Sequence, residues 1–235
     1  WPGGDREPGF ALLDEAAAAA LSDADRRFDT VVFVCCDMLG ACALAGDTRR
    51  AGEWCRVAED FTSRWGCPFL YVDCRTLYGA LLLTAGRWAE ADRLLTAVLT
   101  LDEKICPAVH ARAVAALATL RVRQGRFDEA RAMLDRSRRP TAELDTARAE
   151  VALADGDPAT ARRLLERRST PSLLCARAQA AMGDLNAATT TAAALDPDGP
   201  EGVEASGLAA AAQGRVAAAV DAFETAAARW ADCSA

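Results

Sequence analysis

Apolar and polar positions along this chain recur in one phase. A glycine is followed by a short polar stretch, an alanine five positions after the glycine and a larger apolar residue nine after it. The copies are GDTRRAGEWC from Gly46, GRWAEADRLL from Gly86, GRFDEARAML from Gly125, GDPATARRLL from Gly156, GDLNAATTTA from Gly183 and GRVAAAVDAF from Gly214. GDREPGFALL, from Gly4, is a truncated first copy with Gly9 in the alanine place. Each position has a physical reason. Glycine ends a helix by entering the left-handed region without a Cβ clash, alanine lets two helices approach closely, and the apolar residue four later lies on the same face one turn on. A small residue also stands seven positions before most of the turns, at Gly79, Ala118, Ala149, Ala176 and Gly207, where the paired helix is expected to cross. The pattern predicts helices over 9–21, 28–45, 48–65, 69–85, 88–104, 108–124, 127–138, 141–155, 158–168, 171–182, 185–195, 201–213 and 216–231. Prolines agree with the breaks: Pro68, Pro107, Pro140, Pro171, Pro197 and Pro200 fall in links, and Pro158 sits at a helix start where its missing N–H is harmless.

Successive turn glycines are 27 to 42 residues apart, centred near the roughly 34-residue helix-turn-helix period of tetratricopeptide repeats. The predicted fold is therefore all-α: a single right-handed α-solenoid with a partial repeat at 1–27 and six helix pairs at about 28–67, 68–106, 107–139, 140–170, 171–199 and 200–235. The repeats after Pro140 are shorter and richer in alanine. A start at Trp1 without a leader pattern reads as a piece of a longer protein, and its end repeats are expected to favour dimerisation.

Composition narrows the function. The 235 residues are 51% hydrophobic and carry a formal charge of −7, with a sequence pI near 4.9. Lys104 is the only lysine among 27 basic residues. Such a chain is not built to grip a nucleic-acid backbone, and no run is apolar enough to span a membrane. A cytoplasmic protein is expected. The single lysine has no glycine loop beside it, there is no nucleophile elbow, and His110 is the only histidine, so phosphate-loop and triad chemistry are absent. The chain reads as a non-enzyme with no cofactor. Cys35, Cys42 and Cys55 share helix faces and can meet, yet no C-x2-C pair accompanies them, and all nine cysteines read as reduced, mostly core thiols with no metal role. Trp54, Trp65, Trp88, Tyr71 and Tyr78 read as packing between repeats.

The segments GDREPGFALLDEAAAAAL, RAGEWCRVAEDFTSRWGCPFLYVDCRTLYGALLLTAGRWAEADRLL and ATLRVRQGRFDEARAMLDR resemble the tetratricopeptide region of large LuxR-type helix-turn-helix transcriptional regulators of high-GC bacteria, over most of Gly4 to about Asp135. The resemblance implies a sensor or interaction arm in which DNA contact belongs to another domain. A freestanding scaffold joining two proteins is the alternative. In a tetratricopeptide solenoid the first helix of each pair lines the concave groove, so the candidate surface comprises Phe33 and Cys36, then Asp73, Thr76 and Leu83, with Gly40 and Ala43 beside them. It continues through Arg112, Thr119 and Arg123 to Glu143 and Glu150. The expected ligand is a protein or peptide segment or a small-molecule effector, and Arg112 and Arg123, with Arg121 nearby, suit an acidic one. A chaperone-tail clamp is disfavoured, because its Lys and Asn side chains are missing.

Overall fold

The structure is a computed structural model that describes residues 7–22, 28–101, 104, 106–137, 140–166 and 170–234. The truncated turn around Gly4 lies outside them. The chain divides into two compact units, Trp1–Ala113 and Val114–Ala235.

The first unit holds α1 (Glu7–Ser22), α2 (Phe28–Ala45), α3 (Thr48–Trp65), α4 (Pro68–Thr84), α5 (Trp88–Leu99) and the start of α6 (Pro107–Arg123). The second holds the rest of α6, then α7 (Phe127–Arg136), α8 (Ala142–Ala154), α9 (Pro158–Leu165), α10 (Leu173–Ala181), α11 (Leu185–Ala193), α12 (Pro200–Ala212) and α13 (Val216–Ser234). Among the described residues there is no strand, and the fold class is all-α helical repeat. All thirteen predicted helices are present. α5 stops at Leu99 rather than 104, where the Thr100 hydroxyl donates to the Ala97 carbonyl and closes the last turn. α10 begins at Leu173 rather than 171, because Ser172 accepts from the Cys175 N–H as its N-cap. Pro68, Pro107 and Pro200 open helices instead of lying in links, the place where a fixed φ and absent N–H cost least.

One turn chemistry recurs. Gly46, Gly86, Gly125, Gly156, Gly183 and Gly214 all have φ between 72° and 76°. The residue after each donates its N–H to the carbonyl five back, as in Asp47 to Cys42 at 3.0 Å and Arg126 to Arg121 at 2.8 Å, the Schellman closure. Asp47, Asp157 and Asp184 then cap the next helix by accepting from the N–H three residues on. Where arginine replaces that aspartate, Arg87 and Arg126 reach forward to Glu90 and Glu129 through two hydrogen bonds each.

Consecutive helices pack in order from α1 to α5 and from α7 to α13, and the first helix of one pair also touches the first helix of the next: α2 with α4, α8 with α10, and α10 with α12. The crossing inside a pair couples residues sixteen apart. Gly79 of α4 faces Leu95 of α5 so closely that a Cβ would stand 2.8 Å from two of the leucine carbons, and at Gly207 of α12 a Cβ would stand 2.9 Å from the Phe223 ring of α13. Ala118 with Leu134, Ala149 with Leu165, and Leu39 with Cys55 keep the same spacing, all at or below 4% exposure. The alanines five after the turns, Ala51, Ala91, Ala130, Ala161, Ala188 and Ala219, are likewise buried. Large side chains such as Met38, Leu39, Leu70, Leu82 and Leu95 fill the first unit, whereas the last three pairs rely on alanines such as Ala178, Ala205 and Ala209.

Because the added methyl at position 79 collides with Leu95, Gly79→Ala should lower stability by about 1–3 kcal/mol. Combining it with Leu95→Ala should cost less than the sum of the single changes. Urea unfolding of the four proteins measures the coupling, and strict additivity would show that the two side chains do not share this space.

Candidate functional site

The first unit brings three of the expected surface residues together. Cys36 of α2 donates its thiol to Asp73 Oδ2 of α4 at 3.4 Å, and the Arg112 guanidinium of α6 binds the other carboxylate oxygen of Asp73. Asp73 is only 6% exposed, so Arg112 serves as the counter-ion of a buried acid rather than as a free anion receptor. Thr76 and Leu83 lie in the interior, at 2% and 4% exposure. The α4 register turns Leu83 inward, and the Thr76 hydroxyl donates to the Val72 carbonyl of its own helix at 2.8 Å. Neither presents a surface to a ligand. Phe33, by contrast, is 66% exposed.

Beside that cluster, α1 and α2 enclose an apolar cleft of about 700 Å³ lined by Phe10, Leu12, Leu13, Cys36, Gly40 and Leu44, with Asp37 also in its wall. Asp37, Leu12 and Leu44 are exposed. Arg50 of α3 fixes α1, lying 4.3 Å over the Phe10 ring and bonding Asp14 at 3.0 Å. Of these residues only Cys36 and Gly40 carried a sequence signal for the site. The apolar residues of α1 come from the truncated first repeat, where the register is least complete.

In the second unit Thr119 and Arg123 of α6 meet Glu150 of α8. Glu150 is hydrogen-bonded to Thr119 and lies in the field of Arg123 and Arg177, but burial dominates and pushes its carboxyl above the ordinary value. Its Oε2 atom is buried without a hydrogen-bond partner. Arg177 pairs with Glu204, which also accepts from the Trp230 indole at 3.1 Å. Arg121 is 8% exposed and bonds Gln124 at 3.0 Å, with Glu129 at 3.7 Å. Glu143 stands exposed in the first turn of α8.

The thiols are core residues. Cys35, Cys42, Cys55, Cys67 and Cys74 join one hydrophobic cluster, and burial pushes Cys35 and Cys55 up to about 12 and Cys42 to about 11, leaving little thiolate for reaction. Among the described residues no group of three His, Cys, Asp or Glu side chains is placed to hold a metal ion. His110 sits in the first turn of α6. Trp54 packs against the core, but Trp65 and Trp88 are 59% and 38% exposed, which corrects the expectation that both fill space between repeats. No helix among the described residues is long and apolar enough to cross a membrane.

The described residues form stacked helix pairs bearing clefts. Residues 82–150 match the tetratricopeptide repeat family, whose repeats generally mediate protein–protein interaction, and the match supports a tetratricopeptide-like region there. No curated protein and no solved structure matches the chain.

Two predictions follow from the polar clusters. Arg112→Ala should destabilise the protein by about 2–4 kcal/mol, since Asp73 is left buried without its cation. Adding Asp73→Asn should recover part of the loss in denaturant titrations, and a silent Arg112→Ala would remove the pair from the fold's support. For Glu150, a carboxyl raised in the folded state binds more protons than the unfolded chain between its ordinary and raised values, so it costs stability above that window and stops doing so below it. Glu150→Gln should therefore be at least as stable as the wild type at pH 7.5. The difference should shift toward the wild type as pH falls through the raised value and level off below the ordinary value of 4.5, and a pH-independent difference would exclude the titration.

Proposed function

We propose that the chain is the interaction arm of a LuxR-type transcriptional regulator and that it docks an apolar partner segment in the cleft between α1 and α2. The regulator context rests on the resemblance of the segments between Gly4 and about Asp135. The mode of action rests on one observation, an open apolar cleft with Leu12 at 69% and Leu44 at 81% exposure. Contiguous apolar surface of this kind is kept for a partner. The stretch from Cys36 to Ala45 along α2 is about 15 Å long, room for some three turns of an amphipathic helix, the usual occupant of such grooves. Asp37 at the wall selects a segment carrying a Lys or Arg beside its apolar face. Docking then acts through differential affinity for two arrangements of the regulator, which is the only way a bound segment can shift an equilibrium.

In the native reading frame a helix-turn-helix domain is expected beyond Ala235, and a stop codon there would favour the freestanding scaffold. In the whole regulator, Leu12→Glu with Leu44→Glu should change transcription from its target promoter at unchanged protein abundance. Both side chains are exposed, so the fold is spared. Unaltered output would sink the docking site.

A further inference from the structure

We propose that a second cleft, built by α3, α4 and α5 in the first unit and separate from the apolar one, binds a small phosphoryl-bearing molecule. It measures about 570 Å³ and is lined by five arginines, Arg49, Arg56, Arg75, Arg87 and Arg93, against two glutamates, Glu59 and Glu90. A local surplus of three positive charges stands out in a chain whose formal charge is −7.

The glutamates hold two of the arginines. Glu59 takes Arg75 at 2.7 Å, with the Arg75 guanidinium stacked 4.3 Å over the Tyr71 ring. Glu90 takes Arg87 through bonds of 2.8 and 2.7 Å. These two forks are thereby fixed in place. Arg56 bonds only the Gly52 carbonyl of its own helix, at 3.3 Å, and neither it nor Arg93 has a carboxylate partner among the described residues. Arg49 has Glu53, an exposed i,i+4 partner at 2.9 Å, the kind of pair that binds only weakly.

The repeat frame explains why the cleft is open. Six positions after the turn glycine, α7 and α9 carry Arg131 and Arg162, which bridge to Asp155 and Asp184 at 3.0 and 3.1 Å. In α3 that position is Gly52. The Tyr78 hydroxyl lies over its bare backbone, 2.8 Å from where a Cβ would be, and is hydrogen-bonded to Arg87. Tyr78 and Leu94 thus form a partly apolar wall beneath converging guanidinium groups. The cations come from three helices around one depression rather than along a single helix row, which suits a compact polyanion better than an extended acidic peptide. The volume falls in the range of small-molecule sites, and guanidinium forks match phosphoryl oxygens two at a time.

Calorimetric titration of the whole chain with inorganic pyrophosphate tests this, with ADP and a hexaglutamate peptide as parallel ligands. Saturable pyrophosphate binding should appear, weaken with added salt, and fall about 10-fold or more in Arg56→Gln and in Arg93→Gln. Arg64→Gln, an exposed arginine of α3 outside the cleft, should bind as the wild type does. ADP binding at least as tightly would place a ring-bearing body against Tyr78 and Leu94, whereas pyrophosphate binding more tightly would indicate that the phosphoryl groups alone are recognised; either supports the site. No saturation by 10 mM pyrophosphate, on the order of the weakest specific affinities, would overturn the proposal. So would wild-type affinity in both cleft variants, or binding of hexaglutamate alone. Circular dichroism of each variant guards against loss of fold.

Discussion

The structure depends on the crossing of the two helices in each pair, where a small residue on the first meets the residue sixteen positions later on the second. The crossing is a volume constraint, not a sequence motif. Gly79 accepts Leu95 and Gly207 accepts Phe223; by position Ala118 is matched with Leu134 and Ala149 with Leu165, while Leu39 and Cys55, in one core cluster, reverse the order of size. Their summed bulk stays moderate, as close packing requires. Constant spacing demands a turn of constant geometry between the helices, which the left-handed glycine supplies. If a turn residue had a Cβ, the chain would leave the helix in another direction and the sixteen-residue match would be lost.

The same frame sorts the charges. Positions that the crossing buries admit only small or apolar residues, so arginine and acid are confined to the remaining faces and must find each other there. Many do so at about one repeat of separation: Arg50 with Asp14, Arg112 with Asp73, Arg131 with Asp155, and Arg177 with Glu204. Exposed examples add little stability individually. Their placement nonetheless disfavours alternative registers between neighbouring helices, because a shift of one turn would separate the partners.

Helices and buried alanines were legible in the sequence because they follow from local rules: glycine termination, capping side chains and a fixed phase between small and large residues. The surface was less legible for an equally physical reason. Whether Arg112 is free or spent depends on Asp73, thirty-nine residues earlier, and periodicity gives no sign of that pairing. Leu83 and Thr76 were misplaced because α4 touches both α2 and α5 as well as α3, so its inward face is wider than that of a helix packed on one side only. The apolar cleft went unread because half of it belongs to α1, whose turn copy is truncated.

The α3–α5 region departs from the charge arrangement that the frame otherwise favours. There Arg49 and Arg87 close on glutamates three or four residues away within their own segments, and position 52, whose counterparts in α7 and α9 are the bridging Arg131 and Arg162, is glycine. Arg56 and Arg93 are exposed, so water solvates them and the fold does not need a partner acid for either. Neither Arg56 nor Arg93 has a carboxylate partner among the described residues, while the burial pattern of α3 and α5 is position for position the same from Ala51 to Asp60 and from Ala91 to Thr100. The departure therefore lies in the outward residues alone. Packing does not require arginine at 56 or 93, and both line one cleft with Tyr78, where the proposed anion would meet them.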